Sequence, residues 1–232
     1  MSQKLVIFDI DGTICDSQET EEACYARAIE SVTGQPLATT DWVVYEEPTG
    51  SGIIREILVD DPKIHDKEAA IKAEFVRLLE SEQPQHPEEF SPIPGVIEFI
   101  KKLQEKEGYA VAIATGCFDA SAAFKLRCCG IDVEDYPFAS SSDTPCRRDI
   151  FPLAAQRAGF DLSSAIFFGD GQWDVKATRE LGIPMIGIGR GIEKLKELGI
   201  QYVFRDYTNP EAILDRMKDL LPTKDTENTK VY

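Results

Sequence analysis

Two carboxylates, Asp9 and Asp11, stand two residues apart at the end of an apolar run and directly before Gly12-Thr13. Carboxylates crowded at a strand end are costly unless a cation binds between them. A hard divalent ion answers that need, and Mg²⁺ keeps few protein ligands when a phosphate completes its shell. Asp-Gly is also an ordinary turn dipeptide, so the pair alone leaves solvated turn aspartates open. Further along, Phe167-Phe168-Gly169-Asp170 again sets an aspartate past an apolar run, with Asp174 four residues on. This reads as a metal ligand backed by a second carboxylate, against a glycine-rich turn with an N-cap aspartate. Thr115-Gly116 closes a third apolar run, and a small hydroxyl followed by glycine suits close approach of a phosphate to a helix N-terminus. Arg147-Arg148 stand near the start of another helix, where a cation would neutralise phosphate oxygens; a surface arginine pair is the bland alternative.

Elements that bring these residues together are legible in the periodicity. Lys4–Ile10 is almost wholly apolar, the pattern of a central parallel strand. Helical spacing follows over Gln18–Val32, Ile53–Leu58 and Lys67–Leu79, with Thr39–Gly52 a structured loop and the four prolines of Gln83–Pro94 a linker. Beyond Gly95, helices (Val96–Lys106, Ala120–Cys129, Ile150–Ala158, Asp174–Leu181, Pro210–Leu220) alternate with strands (Ala110–Ala114, Pro137–Ser140, Ala165–Phe168, Pro184–Ile188, Tyr202–Phe204). That alternation predicts an α/β fold, a doubly wound Rossmann-like parallel sheet, with an all-helical segment inserted after the first strand. The expected division is an α/β core over 1–17 and 93–222, an α-helical cap over 18–92, and a frayed polar tail over 223–232.

In an open parallel sheet, ligands bind beyond the carboxyl ends of the strands. Asp9, Asp11, Thr115, Arg147 and Asp170 are all expected at that edge. Acids, hydroxyl and cation in one place meet the needs of in-line attack on a phosphoryl group. The metal offsets anion repulsion, and an aspartate nucleophile gives an acyl-phosphate that water hydrolyses.

Composition narrows the partners. The chain has 232 residues, 43% of them hydrophobic, enough for one core domain with a smaller insertion. With 41 acidic against 25 basic residues, a net charge of -16 argues against a nucleic-acid or anionic-membrane surface. No apolar run approaches the ~20 residues of a membrane helix, and the N-terminus lacks a signal-peptide pattern. Six cysteines without zinc spacing read as buried small hydrophobes in a reducing, cytoplasmic compartment, and His65 and His86 as surface residues.

The motifs Asp9-Ile10-Asp11-Gly12-Thr13, Thr115-Gly116 and Gly169-Asp170 with Asp174 resemble those of haloacid dehalogenase (HAD) superfamily hydrolases of the phosphatase type. The inserted helical segment resembles the cap of phosphoglycolate-phosphatase-like members. The resemblance implies that Asp9 is the nucleophile and a metal ligand. It implies that Asp11 is the general acid/base and binds Mg²⁺ through its backbone carbonyl. Asp170 is then the third protein ligand, with Asp174 supporting it, and Thr115 and Gly116 hold the phosphate. Most members place a lysine before the helix at 150–158; here Arg147 is the candidate replacement and Arg148 the alternative. Related caps send a loop to the substrate, for which Pro48-Thr49-Gly50-Ser51-Gly52 is the candidate, with Thr49 or Ser51 touching the leaving group.

The expected activity is therefore Mg²⁺-dependent hydrolysis of a small-molecule phosphate ester through an aspartyl-phosphate. Asp11 disfavours a dehalogenase, which needs no metal, and no lysine stands where a phosphonatase would form its Schiff base. A phosphosugar mutase and, from another class, a non-catalytic phospho-ligand binder are the remaining alternatives.

Overall fold

In the computed structural model, which describes residues 4–105 and 108–220, the first strand β1 (Lys4–Phe8) is buried on both faces. Leu5 and Ile7 enter one hydrophobic cluster, Val6 and Phe8 the other. The strand is shorter than its apolar run because the Ile10 carbonyl accepts N–H groups from Ile14 and Cys15, turning the chain. Helices α1 (Gln18–Thr33), α2 (Gly50–Ile57) and α3 (Ile64–Glu82) follow. After them come α4 (Val96–Glu105), β2 (Tyr109–Ala114), α5 (Asp119–Cys128), β3 (Phe138–Ala139), α6 (Arg147–Arg157) and β4 (Ala165–Gly169). The chain continues through α7 (Gln172–Leu181), β5 (Met185–Ile188), α8 (Ile192–Glu197), β6 (Tyr202–Phe204) and α9 (Pro210–Leu220).

All strand pairings are parallel, in the order β3-β2-β1-β4-β5-β6. The chain thus winds outward from β1 in both directions, and the crevice between β1 and β4 is the switch point where such sheets bind ligands. One cluster packs α4, α5 and α9 against the sheet and the other packs α6, α7 and α8, so both faces are covered.

Helices α1 and α3 pack around Tyr25, Ile29, Ile71, Phe75 and Leu79, which forms a separate helical cap. Phe118, just before α5, completes this core, its ring edge-on to Phe75 at 5.9 Å. The two connections to the cap run side by side: Asp16 N–H donates to Ser91 O (2.9 Å) and Ile93 N–H to Ile14 O (2.8 Å).

Three elements depart from the periodicity. Helix α2 begins at Gly50, where a loop was expected, because the Thr49 hydroxyl caps it by accepting the Gly52 N–H at 3.0 Å. Helix α6 begins at Arg147 rather than Ile150, so the arginine pair opens it instead of preceding it. Helix α8 has no counterpart in the periodicity because only Leu195 of its six residues is buried, which leaves no periodic stripe. The polar tail at 223–232 lies outside the described residues. Among the described residues no helix is long and apolar enough to cross a membrane.

Candidate active site

Asp9 follows β1 immediately, its N–H donating to Phe168 O of β4 at 2.9 Å, which sets its side chain over the switch point. The carboxylate is 3% exposed. Burial, helped by Asp174 and Asp11 and opposed by Arg147, pushes its pKa up to about 7. Its Oδ1 is buried without a hydrogen-bond partner.

Arg147 reaches this carboxylate from the first turn of α6, with Nη1 3.7 Å from Asp9 Oδ2, and it ion-pairs directly with Asp174 Oδ1. Gly116 makes room: a Cβ there would stand 2.5 Å from Arg147 Nη2. The Arg147 Nε, also buried, has no acceptor. Arg148, by contrast, is 56% exposed and lies near Asp149 and Glu180. Of the two arginines, only Arg147 is at the strand edge.

Asp170 and Asp174 come from the β4–α7 turn. Asp174 is fully buried and its Oδ2 accepts the Gly171 N–H at 3.1 Å, tying the helix start. Carboxylate oxygens of Asp9, Asp170 and Asp174 all lie within 4.8 Å of one another. Burial and the charges of Asp174, Asp9 and Asp11 hold Asp170 well above the ordinary carboxylate range. Gly12, with φ +68°, lets the turn after Asp11 pass Asp170; a Cβ would stand 2.1 Å from its Oδ2. Gln18 donates to that same oxygen.

Asp11 meets a cation that the sequence reading passed over. Lys125, fully buried in α5, donates to both Asp11 oxygens (2.6 and 2.7 Å) and to Glu21 Oε1 (2.7 Å). Against the cost of burial, Lys125 with bonds from Glu21 and Cys117 holds Asp11 down at about 2. Burial and the Asp11 charge push Glu21 up to about 8 although Lys125 opposes them. The Cys117 thiol lies 2.6 Å from Asp11 Oδ2 and 2.9 Å from Lys125 Nζ. Cys117 is thus a polar wall residue, while Cys15, Cys24 and Cys129 are buried apolar ones as expected. Cys128 and Cys146 are only half-buried. Lys125 shares a helical face with Ala122, Leu126 and Cys129, so a lysine inside an apolar stripe was the available signal.

Above these groups the cap and sheet edge enclose about 700 Å³, part of it open to solvent. Gly116 lines this cleft, whereas Thr115 is buried behind it, its hydroxyl accepting the Cys117 N–H at 3.2 Å. The hydroxyl's own hydrogen is left to donate. In the cap, Thr49 borders the cleft, but its hydroxyl donates to Pro145 O at 2.6 Å while capping α2. Ser51 is fully buried and lies off the cleft wall, because the expected loop is the first turn of α2. His65 and His86 are exposed and do not line the cleft.

A family model for haloacid dehalogenase-like hydrolases matches residues 3–182. A phosphoglycolate phosphatase of Mesorhizobium japonicum is 26% identical over 199 residues, covering 82% of this chain and 85% of that one. Pyrophosphatase PpaX of Bacillus velezensis is 25% identical over 228 residues, 93% and 94% of the two chains. Among solved structures, a hydrolase from Pseudomonas syringae superposes with a TM-score of 0.72 at 21% identity, over 95% of this chain and 100% of that one. CbbY from Rhodobacter sphaeroides in complex with phosphate gives 0.69 at 17%, over 89% and 96%. Six parallel strands, a helical cap after the first of them and a family match over more than half its length agree: the chain belongs to the haloacid dehalogenase-like hydrolases.

Proposed function

We propose that the protein is a Mg²⁺-dependent phosphatase of a small phosphorylated metabolite, working through an aspartyl-phosphate on Asp9. The observation that carries this reading is the Asp9 carboxylate itself: buried, with an unpartnered oxygen, facing Arg147 and clustered with Asp170. Three carboxylates this close, with Arg147 the nearest counter-charge, suit a hard cation. Asp9 and Asp170 would hold Mg²⁺ together with the Asp11 carbonyl. Asp174, occupied by Arg147 and the Gly171 N–H, would steady them. Bound there, Mg²⁺ supplies positive charge that offsets repulsion between phosphate and nucleophile.

An Asp9 oxygen attacks phosphorus in line, and the bond from phosphorus to the ester oxygen breaks. Arg147 and the Gly116 backbone hold phosphoryl oxygens, with Thr115 donating from behind. In the second step water attacks the aspartyl-phosphate, which releases phosphate and restores Asp9. Asp11 carries the protons. With Lys125 against both oxygens it is ionised, the form that accepts a proton from water. To protonate the leaving oxygen, Asp11 must enter the first step as the acid, a form it reaches with its side chain turned away from Lys125; the carboxylate left behind then takes the proton from water. The names of two relatives, a phosphoglycolate phosphatase and a pyrophosphatase, support a small phosphorylated substrate.

The test is phosphate release from p-nitrophenyl phosphate and a panel of metabolite esters, with Mg²⁺ and with chelator. Turnover should require Mg²⁺ and vanish in Asp9→Asn. Turnover that survives in that variant would place the nucleophile elsewhere.

A further inference from the structure

We infer that the cleft selects phosphate monoesters whose alcohol carries no second anionic group, and favours those whose alcohol carries an amino or ammonium group. The inference rests on the phosphatase reading above and concerns only the half of the cleft that meets the leaving group.

That half is built from aromatic rings and carboxyl groups. Tyr25, Trp42, Phe75 and Phe118, all of the cap core, line the cleft on that side, with Tyr25 and Trp42 edge-to-face at 5.9 Å. Glu21 and Glu22, both on α1, line it as well. Glu22 accepts the Trp42 indole N–H at 2.9 Å, which fixes a carboxylate beside the rings.

Cations are scarce there. Among the described residues of the wall, Arg147 alone is basic, and it is held at the floor by Asp174 and Asp9. The neighbouring cations are committed elsewhere. Lys125 lies behind the wall on Asp11 and Glu21. Lys72 sits 5.0 Å from the Phe118 ring centre but pairs with Glu68 at 3.0 Å, and Arg55 is turned to the same Glu68.

An alcohol bearing a carboxylate or a second phosphate would therefore meet the Glu22 carboxylate and an aromatic wall without a cation to pair with. An ammonium finds the opposite. Glu22 offers it a counter-charge, in a wall of aromatic rings that an ammonium can stack on. A neutral polyol falls between.

The experiment compares kcat/KM of the full chain with Mg²⁺ on phosphoethanolamine, phosphocholine, glycerol phosphate, phosphoglycolate and pyrophosphate, with p-nitrophenyl phosphate as the common control. The amino-alcohol esters should exceed phosphoglycolate and pyrophosphate by about tenfold or more, the worth of one unit charge in a half-exposed site. Glu22→Gln, which keeps an acceptor for Trp42, should shrink that ratio by about tenfold, and Glu22→Lys should reverse it. The inference is overturned if p-nitrophenyl phosphate is cleaved and an anionic ester is the best substrate, or if the ratio ignores both Glu22 variants. Silence on every ester, the control included, would instead overturn the phosphatase reading and this inference with it.

Discussion

Replacing Asp9 with asparagine should stabilise the metal-free protein, and the gain should grow with pH. The carboxyl titrates at about 7 in the fold against an ordinary 3.8. Because the folded value is raised, the folded state binds the proton more tightly, and stability falls as pH rises between those values. Below about pH 4 both states are protonated and the variant gains nothing. Above about pH 7 the penalty is complete, about 4 kcal/mol from a shift of roughly three pH units. Asparagine removes the charge at nearly the same volume, and Arg147 keeps Asp174 as a partner. For a chain of this size about 4 kcal/mol corresponds to a rise of roughly 10 °C in Tm. The assay is thermal denaturation of both proteins in chelator at pH 4, 6 and 8, taking the difference at each pH. A difference that stays constant with pH, or a wild type more stable at pH 8, would refute a buried, uncompensated Asp9. Added Mg²⁺ should raise the wild type far more than the variant, which closes the gap.

Other perturbations probe the two buried cations. Lys125→Met leaves Asp11 and Glu21 together without a counter-charge, and should cost about 3–5 kcal/mol in denaturant unfolding; adding Glu21→Gln should recover part of it. Arg147→Met should bring a similar loss and abolish phosphate release. Arg147→Lys keeps the charge but not the fork, so it should fold like the wild type while kcat/KM drops roughly tenfold.

The sheet was legible because its strands are buried on both faces and so read as apolar runs set between helical periods. Lys4–Phe8 and Ala165–Gly169 are the clearest cases. Where burial was partial the reading slipped. Helix α8 offers one buried side chain, and α2 hides its first turn behind Gly50 and Gly52, residues that favour loops until Thr49 caps them. Its start depends on a hydroxyl contact whose presence only the folded backbone decides.

The site divides along the same line. Asp9, Asp170, Gly116 and Arg147 were readable because each stands just past a strand or opens a helix, and a doubly wound sheet brings such places to one edge. Lys125 and Glu21 were not, because each sits mid-helix among residues that pack, and what gives it meaning is a partner on another element. Lys125 is 114 residues from Asp11 in sequence and 2.6 Å from it in the fold. The same holds for Glu22, which carries no signal in the sequence because its carboxylate acquires a direction only from the Trp42 indole of the cap. On the proposed reading, strand-end positions carry the phosphoryl-transfer chemistry, and Glu22, on a helix that lines the cleft, bears on the choice of leaving group. Asp9→Asn therefore tests the reaction and Glu22→Gln the choice of substrate, and the two should separate cleanly. Loss of turnover on every ester with Glu22→Gln would mean that the cap residue serves the chemistry itself.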